Sequence, residues 1–417
     1  MSETRPPERP GAGPSGEPTA PPPARSVDRT RSRGRRIPWV DVITTVAAII
    51  LAFLVGAFLM IVSDTDVRST FAYFFARPSD ALAASWDKVS SAYGALMTGS
   101  LGSWQAITET TAQAAPLICA GLGVGLAFRA GLFNIGAQGQ AIWGAILAAY
   151  VGFTLHLPPV LHLLVAILAG VVGGGIWGGI VGWLKARTGA HEVIVTIMMN
   201  YIAAGLLAFF LTTTAFQRPG RTDPISPIID WNATFPRLAG SQLHIGFVVA
   251  LVAAAAVWWI LDRSTIGFAI KAVGANPNAA ATAGMSVGTT TIITMTLAGA
   301  LAGLAGVQAA LGPSASGVPV PLSAGIVGSI GFDAITVALL GRSKPLGTVL
   351  AGLLFGALHA GGLAMQSIAQ TPLTLTTVLQ ALIVLFVAAP ALITKIIPFV
   401  RTRKVRPVGP TTEGGLA

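Results

Sequence analysis

Residues 158–184 read PPVLHLLVAILAGVVGGGIWGGIVGWL, without one Lys, Arg, Asp or Glu. As a helix rising 1.5 Å per residue, such a run crosses the roughly 30 Å hydrocarbon core of a bilayer. Gly170, Gly174, Gly178 and Gly182 recur at every fourth position. On a helix they form one smooth ridge along which a second helix can approach backbone to backbone. Gly299 with Gly303, and Gly352 with Gly356, repeat the device. Outward from this stretch, further apolar runs at about 39–62, 110–128, 131–152, 193–213, 243–261, 288–311, 322–341, 345–363 and 374–394 bring the expected spans to ten. Composition agrees: 53% of residues are apolar and only 10% charged, too few charges to cover a soluble chain of this length. The fold class is all-α polytopic membrane protein. The single cysteine, Cys119, excludes an internal disulfide and reads as a small packing residue.

The net charge of +10 could suggest a nucleic-acid partner until its placement is considered. The N-terminal arginines, Arg129, Lys185, Arg187, Arg263, Lys271, Arg342, Lys344, Lys395, Arg401, Arg403, Lys404 and Arg406 fall on one side of a ten-span chain. Only Arg68, Arg77, Lys88, Arg218, Arg221 and Arg237 fall on the other. Positively charged flanks mark the cytoplasmic side, so both termini are expected in the cytoplasm and no nucleic acid is implied. Residues 1–37 are a Pro- and Arg-rich tail with no apolar periodicity, expected to be disordered. Residues 38–397 form the transmembrane domain, and 398–417 a basic cytoplasmic tail. Arg35-Arg36 before an apolar run resembles an export signal, but the run from Trp39 to Val62 is too long for one and lacks a cleavage site. On the outer side, 63–109 reads as amphipathic helix lying at the interface, and 214–242 as a proline-rich irregular loop.

Two spans look interrupted. Gly131, Gly136 and Gly139 surround Asn134, Gln138 and Gln140, while Gly325, Gly328 and Gly331 precede Asp333. Unwound backbone inside a membrane is tolerated only where protein or a water-filled cavity covers it. Asn and Asp can also start half-helices whose N-terminal ends face a site. The two segments share the pattern Phe133-Asn134-Ile135 and Phe332-Asp333-Ala334-Ile335, each in the third span of its half. Five spans per half make the halves inverted, so two inverted five-helix repeats are expected. Asp333 is the only acidic residue well inside a span; it either lines the translocation path or caps the break. Asn134, Gln138, Gln140, Asn200 and Asp333 are the candidate substrate-pathway residues.

The longest inner loop, 262–287, places Asn276 before Pro277, an N-cap followed by a first-turn proline; Ala279 to Ala283 continue the helix and Gly284 ends it. A short helix with small side chains on the cytoplasmic face suits docking into a partner's groove. The residues Thr265, Gly267, Lys271, Ala272, Val273, Gly274, Asn276, Pro277, Ala280, Ala283 and Gly284 resemble the ATPase-coupling loop of ABC importer permeases, in the branch handling branched-chain amino acids, ribose-type sugars and nucleosides. Three further stretches narrow the resemblance to the nucleoside subgroup: Gly131 through Gln140, Glu192 through Ile202, and Gly331-Phe332-Asp333-Ala334-Ile335 on to Arg342 and Pro345-Leu346-Gly347. One departure is Gln138, where that subgroup carries glutamate. The resemblance covers about 110–390. It implies an ATP-binding subunit, a second permease subunit of the same or a homologous kind, an extracytoplasmic substrate-binding lipoprotein, and residence in the bacterial plasma membrane.

The chain has no Gly-Lys pair and therefore no phosphate-binding loop for ATP, so no cofactor is expected on this subunit. Three alternatives stand beside a nucleoside importer. The same machine could carry a ribose-type sugar or a branched-chain amino acid. An ion-coupled secondary transporter would need more intramembrane ionisable groups than Asp333. An intramembrane enzyme would need a catalytic or metal-binding set, and His156, His162, His191, His244 and His359 are scattered.

Overall fold

The computed structural model describes residues 38–238, 241–314 and 316–388; both expected tails and the end of the tenth expected span lie outside them. The described residues form fourteen α-helices. They are α1 (Pro38–Ser63), α2 (Thr65–Phe71), α3 (Pro78–Leu101), α4 (Trp104–Arg129), α5 (Ala137–Thr154), α6 (Pro159–Thr188) and α7 (Glu192–Phe210). After the loop 211–244 come α8 (Ile245–Arg263), α9 (Thr265–Ala275), α10 (Pro277–Thr282), α11 (Val287–Leu311), α12 (Ile330–Leu340), α13 (Pro345–Ile368) and α14 (Leu373–Ala388).

Each of the ten expected spans contains a helix. Seven helices (α1, α4, α6, α7, α8, α11 and α13) are long and apolar enough to cross a membrane. The third, eighth and tenth segments hold the shorter α5, α12 and α14, of 18, 11 and 16 described residues. The first two are short for a local reason. Gly131 and Gly328 adopt left-handed backbone, at φ +72 and +52, which a helix cannot continue through. The chain thus stays non-helical at 132–136 and in turns at 324–329 before each helix begins.

The stretch 63–109 differs in part from expectation. Besides the short, mostly exposed α2 it holds the long α3, which packs along α13. Gly361 of α13 has no room for a side chain against Leu96, and Gly99 of α3 meets Ala364. Lys88 reaches Asp64 Oδ2 at 2.7 Å and the Ala369 carbonyl at 3.2 Å, tying α3 to both neighbours. That ammonium holds the Asp64 carboxyl below the usual carboxylate range.

The glycine ridges fall at the centre of the bundle. Gly170, Gly174, Gly178 and Gly182 of α6 lie against Gly299, Gly303 and Met295 of α11, and Gly144 of α5 closes on Gly303. Gly352 and Gly356 of α13 meet Ile118 and Thr110 of α4. At Gly144, Gly174, Gly178, Gly299, Gly303 and Gly356 the contact is with backbone, a close approach that replaces the hydrophobic drive that lipid removes. A Cβ at Gly303 would stand 2.7 Å from the Gly170 carbonyl and 2.9 Å from Gly174 Cα. Because neither backbone can yield cheaply, Gly303→Val should cost at least the ~3 kcal/mol upper end of ordinary overpacking. Monodisperse protein recovered by size exclusion should collapse, whereas Gly205→Ala, where a Cβ meets nothing within 4 Å, should leave the yield unchanged.

Candidate functional site

The two interrupted segments meet. Asn134 Oδ1 accepts from the Gly136 amide at 3.0 Å and its Nδ2 donates to Gln140 Oε1 at 3.0 Å. Asn200, from the middle of α7, accepts from the Gly139 amide at 2.8 Å and donates to the Ile135 carbonyl at 3.0 Å. These amides satisfy the backbone groups that the missing helical turn leaves over. Asn134, Gln140 and Asn200 are buried, and their side chains are engaged within the chain. Gln138 bridges to the other segment: its Nε2 donates to the Gly328 carbonyl at 2.6 Å and its Oε1 accepts from the Gly331 amide at 2.8 Å. The N-terminal ends of α5 and α12 are joined through this one side chain. Asp333 lies in the first turn of α12 and accepts from the Ser329 hydroxyl at 2.7 Å. The residue at the N-cap position is Ser329, not Asp333. Of the five expected residues, only Gln138 and Asp333 are partly open to the surface.

A second feature escaped the sequence. A cavity of about 400 Å³ opens among the starts of α4 and α8, the end of α11 and the turns before α12, lined by Glu109, Gln113, Gln242, His244, Gln308 and Ser314 among others. Glu109 accepts from Gln113 Nε2 at 2.9 Å, an i,i+4 pair on one face of α4. His244 Nδ1 accepts from the Gly246 amide at 3.1 Å, so a neutral ring carries its proton on Nε2. Gln308 is 4% exposed and donates to Cys119 Sγ at 3.2 Å, but its Oε1 has no partner among the described residues. An unmet acceptor in such a place costs about 1–3 kcal/mol. The i,i+4 pair was the available signal; placing the second span at 110 cut Glu109 off from it.

The loop 262–287 is more ordered than one short helix. Ser264 Oγ accepts from the Gly267 amide and starts α9, and Asn276 Oδ1 accepts from the amides of Asn278 and Ala279 and starts α10. Gly284, at φ +82, follows α10 as the sequence suggested. Thr265 opens α9, and Lys271 pairs loosely with Asp262 at 3.4 Å. The buried Ile270, Val273 and Ala280 hold the pair of helices down, while Pro277, Asn278, Ala279, Ala281 and Thr282 stay exposed. Two glycines set the seating. Gly267 lies on the Ile260 carbonyl of α8, and Gly274 on the carbonyl of Arg129 at the end of α4. The Gly274 backbone also lies 3.5 Å from where a Gly131 Cβ would be. The exposed α10 is therefore linked, through α9 and Gly274, to the chain segment that breaks before α5.

Broken helices joined at their N-terminal ends, an apolar bundle around them and a docking loop at one end define a membrane transport protein. The chain belongs to the family of branched-chain amino acid transport system permease components, whose pattern matches residues 106–388. It is 37% identical over 349 residues to the guanosine ABC transporter permease protein NupP of Bacillus subtilis, covering 82% of this chain and 91% of that protein. It is 36% identical over 318 residues to the nucleoside ABC transporter permease protein NupB of Lactococcus lactis, covering 73% and 85%. Similarity to the glucose ABC transporter permease protein TsgB13 of Haloferax volcanii is 34% over 306 residues, covering 71% and 79%. No solved structure matches. The protein is a multi-pass plasma-membrane transporter component.

Proposed function

We propose that this chain is the membrane-spanning permease subunit of an ATP-driven ABC importer whose cargo is a nucleoside. The observation that carries the reading is the seating of Gly274 on the end of α4. A partner pushing on α10 then moves the segment that ends at the α5–α12 junction. ATP is hydrolysed on a separate ATP-binding subunit, a second permease copy or homologue completes the pore, and an extracytoplasmic lipoprotein delivers the cargo. Nucleosides are favoured by the guanosine and nucleoside permeases among the relatives. Gln138 and Asp333 are the pathway groups at the junction, with Asn134, Gln140 and Asn200 holding the break behind them.

Reciprocal packing supports two inverted five-helix repeats and hence ten membrane segments. α6 on α11 is answered by α13 on α4, α5 on α11 by α12 on α4, and α5 on α7 by α12 on α14. The distribution of Lys and Arg supports cytoplasmic termini. Cysteines placed at Ser32 and Thr411 should resist an impermeant thiol reagent in intact cells, and one at the exposed Thr222 should react. The native Cys119 is buried and leaves the background clean. Labelling of both termini from outside would overturn the topology.

The functional test is uptake of labelled guanosine, glucose and leucine into vesicles holding the complete complex. ATP-dependent, ionophore-insensitive accumulation of guanosine is expected. Glucose alone would move the cargo to the sugar reading, which the Haloferax relative favours, and leucine alone to the amino-acid reading. Ionophore-sensitive uptake without ATP would replace the machine with a secondary transporter.

A further inference from the structure

At the bundle end that carries α9 and α10, a cleft of about 350 Å³ lies between the ends of α4 and α8, the side of α9 and the start of α13. Arg129, Lys271 and Lys344 bring three cations to it, against the single carboxylate of Asp262. Asp262 pairs with Lys271 at 3.4 Å. Arg129 uses Nε on the Ser343 carbonyl at 3.0 Å, leaving its terminal guanidinium nitrogens to the cleft. The Lys344 ammonium has no hydrogen bond or ion pair among the described residues. Lys344 is also the N-cap of α13, whose N-terminal end adds its own partial positive charge. The cleft is therefore built for an anion.

Its other wall is apolar. Trp258, Leu261, Pro345 and Leu346 complete the lining, with Trp258 49% and Leu346 73% exposed. Below Trp258 the flank of α8 continues through exposed Leu251, Val252 and Val248. A free nucleotide or phosphate would leave that wall bare, and an acidic protein surface would have to reach past the helix ends into the lipid-facing flank. An amphiphile satisfies both walls at once. We propose that this cleft binds an anionic phospholipid, its phosphate among Arg129, Lys271 and Lys344 and one acyl chain along Trp258 and α8. Basic pockets between helices at the inner membrane face take such headgroups, and tryptophan favours that level of the bilayer. Where the transport reading holds, the headgroup bridges Arg129 of α4 and Lys271 of α9, the same two elements that Gly274 seats together. Lipid binding itself does not depend on that reading.

The test is lipid retention by the full-length protein, read by native mass spectrometry after exchange into phosphatidylglycerol or phosphatidylcholine. One surface cation is worth about 1 kcal/mol toward an anionic lipid, or about fivefold. Lys344→Gln should lower retained phosphatidylglycerol about fivefold, and Lys271→Gln with Lys344→Gln about 25-fold. Asp262→Asn should raise it, and retained phosphatidylcholine should not change. Both lysines are exposed, so these variants keep the fold, which an unshifted melting curve would verify. Equal retention across the variants would overturn the proposal. Displacement of the lipid by excess inorganic phosphate would assign the cleft to a soluble anion. Loss of the ATP-binding subunit on purification, with lipid retention unchanged, would make it a protein contact.

Discussion

Gly274→Val is expected to abolish coupled uptake while leaving a folded, ATPase-bound complex. A side chain at this position has no space: its Cβ would overlap the Arg129 carbonyl and crowd the Ala130 backbone. Backbone atoms at the end of α4 cannot rotate away as a side chain would, so α9 must lift, carrying α10 with it. Displacement of a positioned element by about 1 Å is enough to lose about a hundredfold in a coupled step. The bundle should tolerate the change, because the contacts that assemble it lie in the α4, α5, α6, α11 and α13 ridges rather than at this end. The measurements are substrate-stimulated ATP hydrolysis and uptake in the reconstituted complex. Uptake should fall about a hundredfold, stimulation by cargo should vanish, and basal hydrolysis should persist. Gly94→Ala, where a Cβ meets nothing within 4 Å, is the matched control. Pro277→Gly should act in the same direction but more weakly, since it only frays the first turn of α10. Normal uptake and normal stimulation in Gly274→Val would show that the loop does not transmit.

How much of this was legible in the sequence depended on how local the cause is. The ridge of Gly170, Gly174, Gly178 and Gly182 could be read because its meaning lies in one helix's periodicity; its partner needed only to be small as well. The start of α10 was legible for a similar reason, since Asn276-Pro277 acts on amides two and three residues away; Asn134, expected to start a half-helix, instead binds the Gly136 amide ahead of α5, whose N-cap is Gly136 with no side-chain bond. Pathway residues were a harder matter. Polar residues inside a span must be satisfied, but the sequence does not say by what: all five expected ones bond within the chain, and three of them, Asn134, Gln140 and Asn200, are buried. Asp333 shows the limit well: an acid at a helix start suggested a cap, yet Ser329, four residues earlier, holds that position. The cavity beside Gln308 left only one trace in the sequence, the Glu109–Gln113 pair. Its members sit at positions 109, 113, 242, 244 and 308, on α4, in the loop before α8 and on α11, and only the packing of these elements makes them neighbours. Likewise 63–109 was read as interfacial helix from Phe71 to Ala76 with Trp86, Tyr93 and Trp104, and only Gly361 and Ala364 of α13 show how α3 is accommodated against the bundle.

That cavity gives the second large expected effect. Gln308 is buried with one acceptor unmet beside a polar hollow of about 400 Å³, and such a group is retained against a cost of about 1–3 kcal/mol. Methionine matches its length and volume without bringing a carbonyl. Gln308→Met should therefore raise the melting temperature by about 2–4 °C for each kcal/mol recovered, since the lost contact to Cys119 Sγ is a weak one. Transport should move the other way. A nucleoside carries hydroxyls and ring N–H groups that an amide carbonyl can accept from while the cargo passes between this cavity and the α5–α12 junction. Losing one such contact where no water replaces it should slow uptake about tenfold, or about 1.4 kcal/mol. A purely structural glutamine predicts the opposite pairing: stability lost and transport reduced only in proportion to folded protein. The two readings are thus separated by the sign of the melting shift together with uptake per folded complex. Raised stability with undiminished uptake of labelled guanosine would remove the cavity from the pathway and leave Gln138 and Asp333 to carry it alone.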